Sequence, residues 1–141
     1  MIEKCNIAAN EISNLEVLNN STITTALSQL ENTRVSHLLI TDSAGASVYD
    51  STRDISEEIH YILFPEVATA LNGNNVFSGK YREGVIRSCA ATPIYSYGTL
   101  IGCVYMMEID TQQGALIQSL QKNTLTISVI LEFAVIIFSL I

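Results

Sequence analysis

The sequence predicts an α+β fold: a five-stranded antiparallel sheet with a long N-terminal helix on one face, a helical connector on the other, and a C-terminal helix that continues into an apolar segment. Three observations carry this. Residues 85–110 hold two β-type runs around a Tyr97-Gly98 tip, a natural hairpin turn. Both faces of that hairpin are largely apolar, so each needs a cover. Residues 2–15 repeat apolar side chains every three or four positions, the period of a helix lying on a surface.

Taken in order, Ile2, Cys5, Ala8, Ala9, Ile12 and Leu15 form the apolar stripe of the first helix, which Asn19-Asn20-Ser21 breaks. Ser21 is the expected N-cap of a second helix carrying Ile23, Ala26, Leu27 and Leu30. Val35–Thr41 reads as a strand. Asp42-Ser43-Ala44-Gly45 reads as a turn, with Asp bonding its own backbone and Gly supplying positive φ, and Ser47–Asp50 as the returning strand. Asp54, with Glu57 three residues on, has the form of a capping box for a helix whose face is Ile55, Ile59, Ile62 and Leu63. Pro65 ends that helix and starts a short one through Val67, Ala68 and Leu71, stopped by Gly73. Val76–Tyr81 is a strand.

Counting from the Tyr97-Gly98 tip sets Arg87 opposite Glu108 and Cys89 opposite Met106. One face then holds Ile86, Ser88, Ala90, Thr92 and Ile94 with Ile101, Cys103, Tyr105, Met107 and Ile109. The other holds Val85, Arg87, Cys89, Ala91 and Tyr95 with Leu100, Gly102, Val104, Met106 and Glu108. This register puts Cys89 and Cys103 on opposite faces, where no disulfide can join them. Gly98 and Gly102 read as turn and bulge glycines, and Pro93 belongs at a bulge or with its missing donor turned outward.

Thr111–Asn123 reads as a helix that runs without a breaker into Leu125–Ile141, apolar except for Glu132 and a few hydroxyls. Seventeen residues of helix span roughly 25 Å against a hydrocarbon core of ~30 Å. The expectation is a partial transmembrane helix over 125–141; the competing reading is a buried C-terminal core helix. Glu132 in such a segment costs on the order of 3 kcal/mol, and is either tolerated by its strongly apolar surroundings, kept protonated, or paired across a dimer of the same helix. Residues 1–14 have no apolar signal-peptide region, so a preceding membrane helix is expected in the parent protein.

Of 141 residues, 15% are charged and the net charge is -7, with seven Lys and Arg spread thinly. That excludes a nucleic-acid footprint and a basic membrane-surface patch. Cys5, Cys89 and Cys103 make no CxxC pair, and His37 and His60 lack a second ligand at metal spacing, so no metal or cofactor is expected. No Ser/His/Asp or Cys/His catalytic signature is present, and the chain itself is not expected to be an enzyme.

Four stretches together resemble a known family. They are Thr33-Arg34-Val35-Ser36-His37-Leu38-Leu39-Ile40-Thr41-Asp42; Gly45 with Val48-Tyr49-Asp50-Ser51; Ala70-Leu71-Asn72-Gly73 with Val76-Phe77; and Ile101-Gly102-Cys103-Val104-Tyr105 followed by Glu108, Asp110 and Gln113-Gly114. Their order resembles the single Cache domain, an extracellular PAS-like fold, as found in Gram-positive, clostridial-type sensor histidine kinases. The resemblance covers residues 1–124. It implies one sensor domain (helices in 1–32, sheet and connector in 33–110, exit helix in 111–124) lying outside the cytoplasm and anchored in the cell membrane through 125–141. It also implies a homodimer through the N-terminal helix, a histidine-kinase parent in a two-component system, and a small-molecule ligand. Cache pockets often set a cation or aromatic groups against small carboxylates, which makes Arg87, Tyr61, Phe64, Tyr81 and Tyr105 the candidate ligand-binding residues. The alternatives are a cross-strand Arg87–Glu108 pair and plain core packing for the aromatics. A chemoreceptor sensor domain and a free-standing membrane-anchored binding protein are the alternative functions.

Overall fold

A strand with buried side chains on both faces forces a layer on each side of it, and residues 103–106 of the last strand are such a stretch. The computed structural model describes residues 1–15, 18–28, 35–53 and 59–141. The elements are α1 (Ile2–Ser13), α2 (Asn20–Leu27), β1 (His37–Asp42), β2 (Ser47–Asp50), α3 (Pro65–Leu71), β3 (Val76–Arg82), β4 (Val85–Ser96), β5 (Thr99–Asp110) and α4 (Thr111–Leu140). The five strands form one sheet in the order β2-β1-β5-β4-β3. The chain separates into two compact units: Met1–Gly79 with Arg87–Ile109, and Lys80–Ile86 with Asp110–Ile141.

In the first unit two cores lie back to back across the sheet. Cys5, Ala8, Ala9 and Ile12 of α1, with Ile23 and Leu27 of α2, pack on Ile40, Ala90, Ile94, Val104 and Met106. On the other face Val67 and Ala70 of α3 cover Leu39, Cys89, Ala91, Cys103 and Tyr105. The α1 stripe is the one read from the sequence. The N-cap of α2 is Asn19 rather than Ser21: its side chain accepts from the Thr22 N–H while the Thr22 hydroxyl takes the Asn19 N–H, a reciprocal pair that Ser21 does not form. Leu30 and the Asp54–Glu57 capping box lie outside the described residues. Ile59 and Leu63 do not line a helix. They are 72% and 92% exposed: residues 59–64 form no helix and bond to the first turn, Ser47 N–H to the His60 carbonyl and Ile62 N–H to the Gly45 carbonyl.

The Asp42–Gly45 turn forms as expected. Asp42 Oδ1 accepts from the N–H groups of Ala44 and Ala46, each at 2.9 Å, and Gly45 takes φ +85°. At the β4–β5 tip both Tyr97 and Gly98 have positive φ, the geometry whose twist matches a hairpin.

The register of that hairpin departs from the simple count. Ile101 and Val104 both face the α1 core, whereas Cys103 faces α3. The pairing of β5 with β1 is regular from Met107 to Gly102, so the departure from the simple count arises on the tip side of Gly102 or on β4. Gly102 pairs with Asp42 of β1, and a Cβ there would run into the Thr41 carbonyl. Beyond the slip, the odd-numbered residues of β5 share a face with the odd-numbered residues of β4. Cys89 and Cys103 therefore lie on the same face, both as free thiols. Arg87 and Glu108 fall on opposite faces, and no ion pair joins them among the described residues.

In the second unit, Glu83 and Gly84 form a two-residue turn with both φ values positive. Asp110 caps α4 by accepting from the Gln113 N–H at 2.9 Å. Gly114 is the buried residue of α4, and a Cβ on it would overlap the Gly84 carbonyl. From Thr111 to Leu140 the helix is unbroken, and its apolar side chains are exposed: Leu125 68%, Ile130 62%, Phe138 79%. It is long and apolar enough to cross a membrane, with a mean hydropathy of 2.0 in its most apolar window and none of that window buried.

Helix propensity alone favours Ala over Gly by about 1 kcal/mol in a helix interior. At 114 the contact with Gly84 reverses the sign. Gly114→Ala is expected to lower stability by about 1–3 kcal/mol, and Gly102→Ala by at least as much, both measured by urea unfolding; an unchanged midpoint for Gly114→Ala contradicts the close approach of α4 to the 83–84 turn.

Candidate functional site

Chemistry on this chain gathers on the α3 side of the sheet, around Tyr105. β5 aims this ring away from α1, and α3 begins at Pro65 beside it, so Phe64, the N-cap residue of α3, lies against the phenol with ring centroids 5.2 Å apart. Tyr105 is 5% exposed and its hydroxyl donates to the Cys89 thiol at 3.3 Å. Burial pushes the phenol well above its ordinary range; the Cys89 thiol and the Glu66 carboxylate add to this and the Arg87 guanidinium opposes it. Tyr105 is thus a neutral hydrogen-bond donor, with an acid and a base close enough to act on it. Glu66, in the first turn of α3, is held by the Ser78 hydroxyl of β3 at 2.8 Å.

The side of this cluster is a pair joining the ends of the first hairpin. His37 opens β1, Asp50 closes β2, and the His37 imidazole Nε2 meets Asp50 Oδ1 at 2.9 Å. The same oxygen accepts from the Thr52 N–H at 2.9 Å and the Thr52 hydroxyl at 2.7 Å. Burial works to raise the Asp50 carboxyl, but the two Thr52 bonds and His37 outweigh it and hold the group below the usual carboxylate range. The His37 ring stands edge-on to Tyr105 at 6.0 Å.

Of the five residues expected from the sequence, Phe64 and Tyr105 are in contact, and Arg87 is near enough to influence the Tyr105 phenol while being itself exposed. Tyr61 forms an isolated bridge with Ala46 and is 63% exposed, without a ring contact. Tyr81 belongs to the second unit and is 40% exposed. His37, Asp50 and Glu66 were not anticipated as members. The signal for His37 and Asp50 was the β1–β2 pairing, which sets one end of each strand side by side, and for Glu66 the placement of α3 beside β3; both become visible only once the fold is known. Away from this cluster, an open groove of about 520 Å³ runs between the end of α1 (Ser13, Asn14, Leu15) and the hairpin tip (Tyr95, Ser96, Tyr97).

Burial pushes the Cys5 thiol up to about 12 and the Cys103 thiol to about 11, so neither supplies a thiolate near neutrality. Among the described residues no group of three or more His, Cys, Asp or Glu side chains gathers to hold a metal.

Two measurements follow. Asp50, with its carboxyl lowered from 3.8, stabilises the fold above that value and loses the contribution as pH falls through the folded value. Asp50→Asn is expected to melt lower than wild type at pH 7, with the gap closing below about pH 4. Removing the hydroxyl in Tyr105→Phe is expected to cost about 1 kcal/mol at neutral pH, read by thermal denaturation.

No family model matches the chain, and no curated protein does. Solved structures do match. The ligand-binding domain of the Pseudomonas aeruginosa PAO1 amino acid chemoreceptor PctC, in complex with GABA, aligns with a TM-score of 0.62 at 13% identity, over 77% of this chain and 50% of that one. An extracellular ligand-binding receptor from Desulfohalobium retbaense DSM5692 aligns with a TM-score of 0.53 at 20% identity, over 75% of this chain and 21% of that one. The chain spans half the length of the first and about a fifth of the second. At these identities the likeness establishes the fold: residues of this chain take the α+β architecture of receptor ligand-binding domains.

Proposed function

We propose that this chain is the extracytoplasmic sensing module of a membrane receptor, with residues 1–124 as the sensor and 125–141 within the membrane. The observation that carries the reading is the passage of β5, without a loop, into a capped 30-residue helix whose apolar surface is left uncovered. A strand bearing Tyr105 becomes the helix that enters lipid. Ligand or stress at the sensor shifts a two-state equilibrium, and the helix passes the shift on. The parent is a two-component sensor histidine kinase, on the strength of the four stretches that resemble the clostridial-type sensors. It acts as a homodimer through α1, whose outward residues Glu3, Ile7, Asn10 and Glu11 are exposed. The PctC likeness favours a second reading, a chemoreceptor, and the domain that follows residue 141 in the parent decides between them.

The ligand class is a small molecule carrying both charges. Arg87 offers a cation to a carboxylate, Glu66 an anion to an ammonium, and Phe64 and Tyr105 an apolar wall between; Tyr61 completes the proposed set within the first unit. An amino acid chemoreceptor domain holding GABA on this fold supports the choice.

The full chain in detergent, screened by thermal shift against α-amino acids, GABA, small organic acids and wall fragments, tests it. A true ligand at 100 times its Kd stabilises by about 2.7 kcal/mol, and Arg87→Ala is expected to abolish the shift. If no compound class raises the midpoint, the small-molecule part of the proposal is lost. The membrane part is tested separately: the chain expressed in bacteria is expected to resist extraction by alkaline carbonate.

A further inference from the structure

Thin spacing of the basic residues along the sequence argues against a basic membrane-surface patch, yet the fold gathers Lys80, Arg82 and Lys122. All three belong to the second compact unit, Lys80–Ile86 with Asp110–Ile141, and all three are exposed. Lys80 and Arg82 share one side of β3, because side chains two apart in a strand point the same way. The turn that follows is seated on α4. A Cβ on Gly114 would overlap the Gly84 carbonyl, and one on Gly84 would lie 2.9 Å from Gln118 Oε1. Steps of four residues drift by only about 40° around a helix. Lys122 therefore continues the stripe of Gly114 and Gln118, one turn nearer the apolar segment.

Helical rise gives the height of this surface above hydrocarbon. If Leu125 marks the start of the apolar core, Gln118 lies about 10 Å above it and Lys122 about 4.5 Å. Each headgroup layer is roughly 5–8 Å thick, and a charge is felt about 8 Å further at physiological salt. Lys122 thus lies within the headgroup layer, and the turn seated at Gln118 lies within reach of its field. The charge around this surface also departs from that of the chain. Net charge is -7, but no Asp or Glu occurs between Asp110 and Glu132. Asp110 is engaged in capping α4. Within residues 80–86 the acid is Glu83, whose Oε1 stands 3.9 Å from Arg82 Nε with both side chains at least 85% exposed. An ion pair that long and that wet holds little, so Arg82 can meet another anion.

We propose that Lys80, Arg82 and Lys122 form a surface for anionic phospholipid, donating to the headgroup phosphates. The inference rests on the reading of α4 as membrane-spanning. Tyr81, between the two cations of β3 and 40% exposed, adds an aromatic of the kind that favours the interface. The sign of the response is diagnostic, because a chain of net charge -7 without such a surface is repelled by an anionic bilayer.

The test follows hydrogen exchange, peptide by peptide, in the full chain held in nanodiscs of phosphatidylcholine alone or mixed with phosphatidylglycerol. Residues 80–86 are expected to exchange about three- to tenfold more slowly with phosphatidylglycerol. Peptides of the first unit separate this local effect from a change in global stability. About 1 M salt, which shortens the screening length to ~3 Å, is expected to remove the protection. Lys80→Gln with Arg82→Gln is expected to abolish it, Lys122→Gln to reduce it, and Arg82→Lys, which keeps the charge, to retain most of it. Equal or faster exchange of residues 80–86 in phosphatidylglycerol overturns the lipid surface alone when the chain resists carbonate. So does protection that survives Lys80→Gln with Arg82→Gln, or that inorganic phosphate reproduces in phosphatidylcholine. A chain released by carbonate overturns the membrane reading and the inference with it.

Discussion

Everything in this fold answers to the fact that β5 has no face it can leave open. Val104 and Met106 lie under α1 and α2, and Cys103 and Tyr105 lie toward α3, all within four consecutive residues. Such a strand is stable only when both coats are in place, and it lies centrally in the sheet, with β1 on one side and β4 on the other. The N-terminal helix is therefore a structural half of the domain. Its narrow side chains, Cys5, Ala8 and Ala9, let it approach the sheet closely enough for Asn6 to accept from the Thr92 hydroxyl of β4 at 3.2 Å. At the other end of the contact between β1 and β5, Gly102 meets the Thr41 backbone, an approach that any side chain would prevent.

The same constraint explains which parts of the structure could be read in advance. Helix α1, the Asp42–Gly45 turn, α3 from Pro65 and the Tyr97-Gly98 tip are each determined by a few neighbouring residues, and local chemistry was enough to find them. The register was not. Counting pairs from the hairpin tip assumes that no residue slips on either strand. One slipped residue moved Cys103, Tyr105 and Met107 to the other face. It separated Arg87 from Glu108 and put Cys89 under the Tyr105 hydroxyl. The helix expected at Ile59 and Leu63 failed for a different reason: their spacing fits a helix, but residues 60–62 take their backbone hydrogen bonds from the 45–47 turn, a tertiary competitor that spacing cannot reveal.

The candidate site was legible in its residue types and not in its company. Aromatic rings and a lone arginine suggested a surface for a small carboxylate, and two of the rings do meet. What periodicity could not supply was the acidic half. Asp50 is brought beside His37 by the first hairpin, and Glu66 beside Ser78 by the placement of α3 over the sheet. With these in place the surroundings of Tyr105 carry both signs of charge, the feature on which the proposed ligand class rests.

The route from that cluster to the helix is short along the chain. Tyr105 lies five residues before Asp110, which ends β5 and caps α4 in the same step. No residue after Gly98 takes a positive φ, and the helix runs to Leu140 without a break. The Gly84–Gly114 approach adds a second hold on the first turns of α4, from the 83–84 turn that joins β3 to β4. The helix is thus tied by covalent continuity to one strand and by backbone contact to the connection between two others. On the proposed reading, a ligand that repositions Tyr105 acts on the membrane helix through the strand itself.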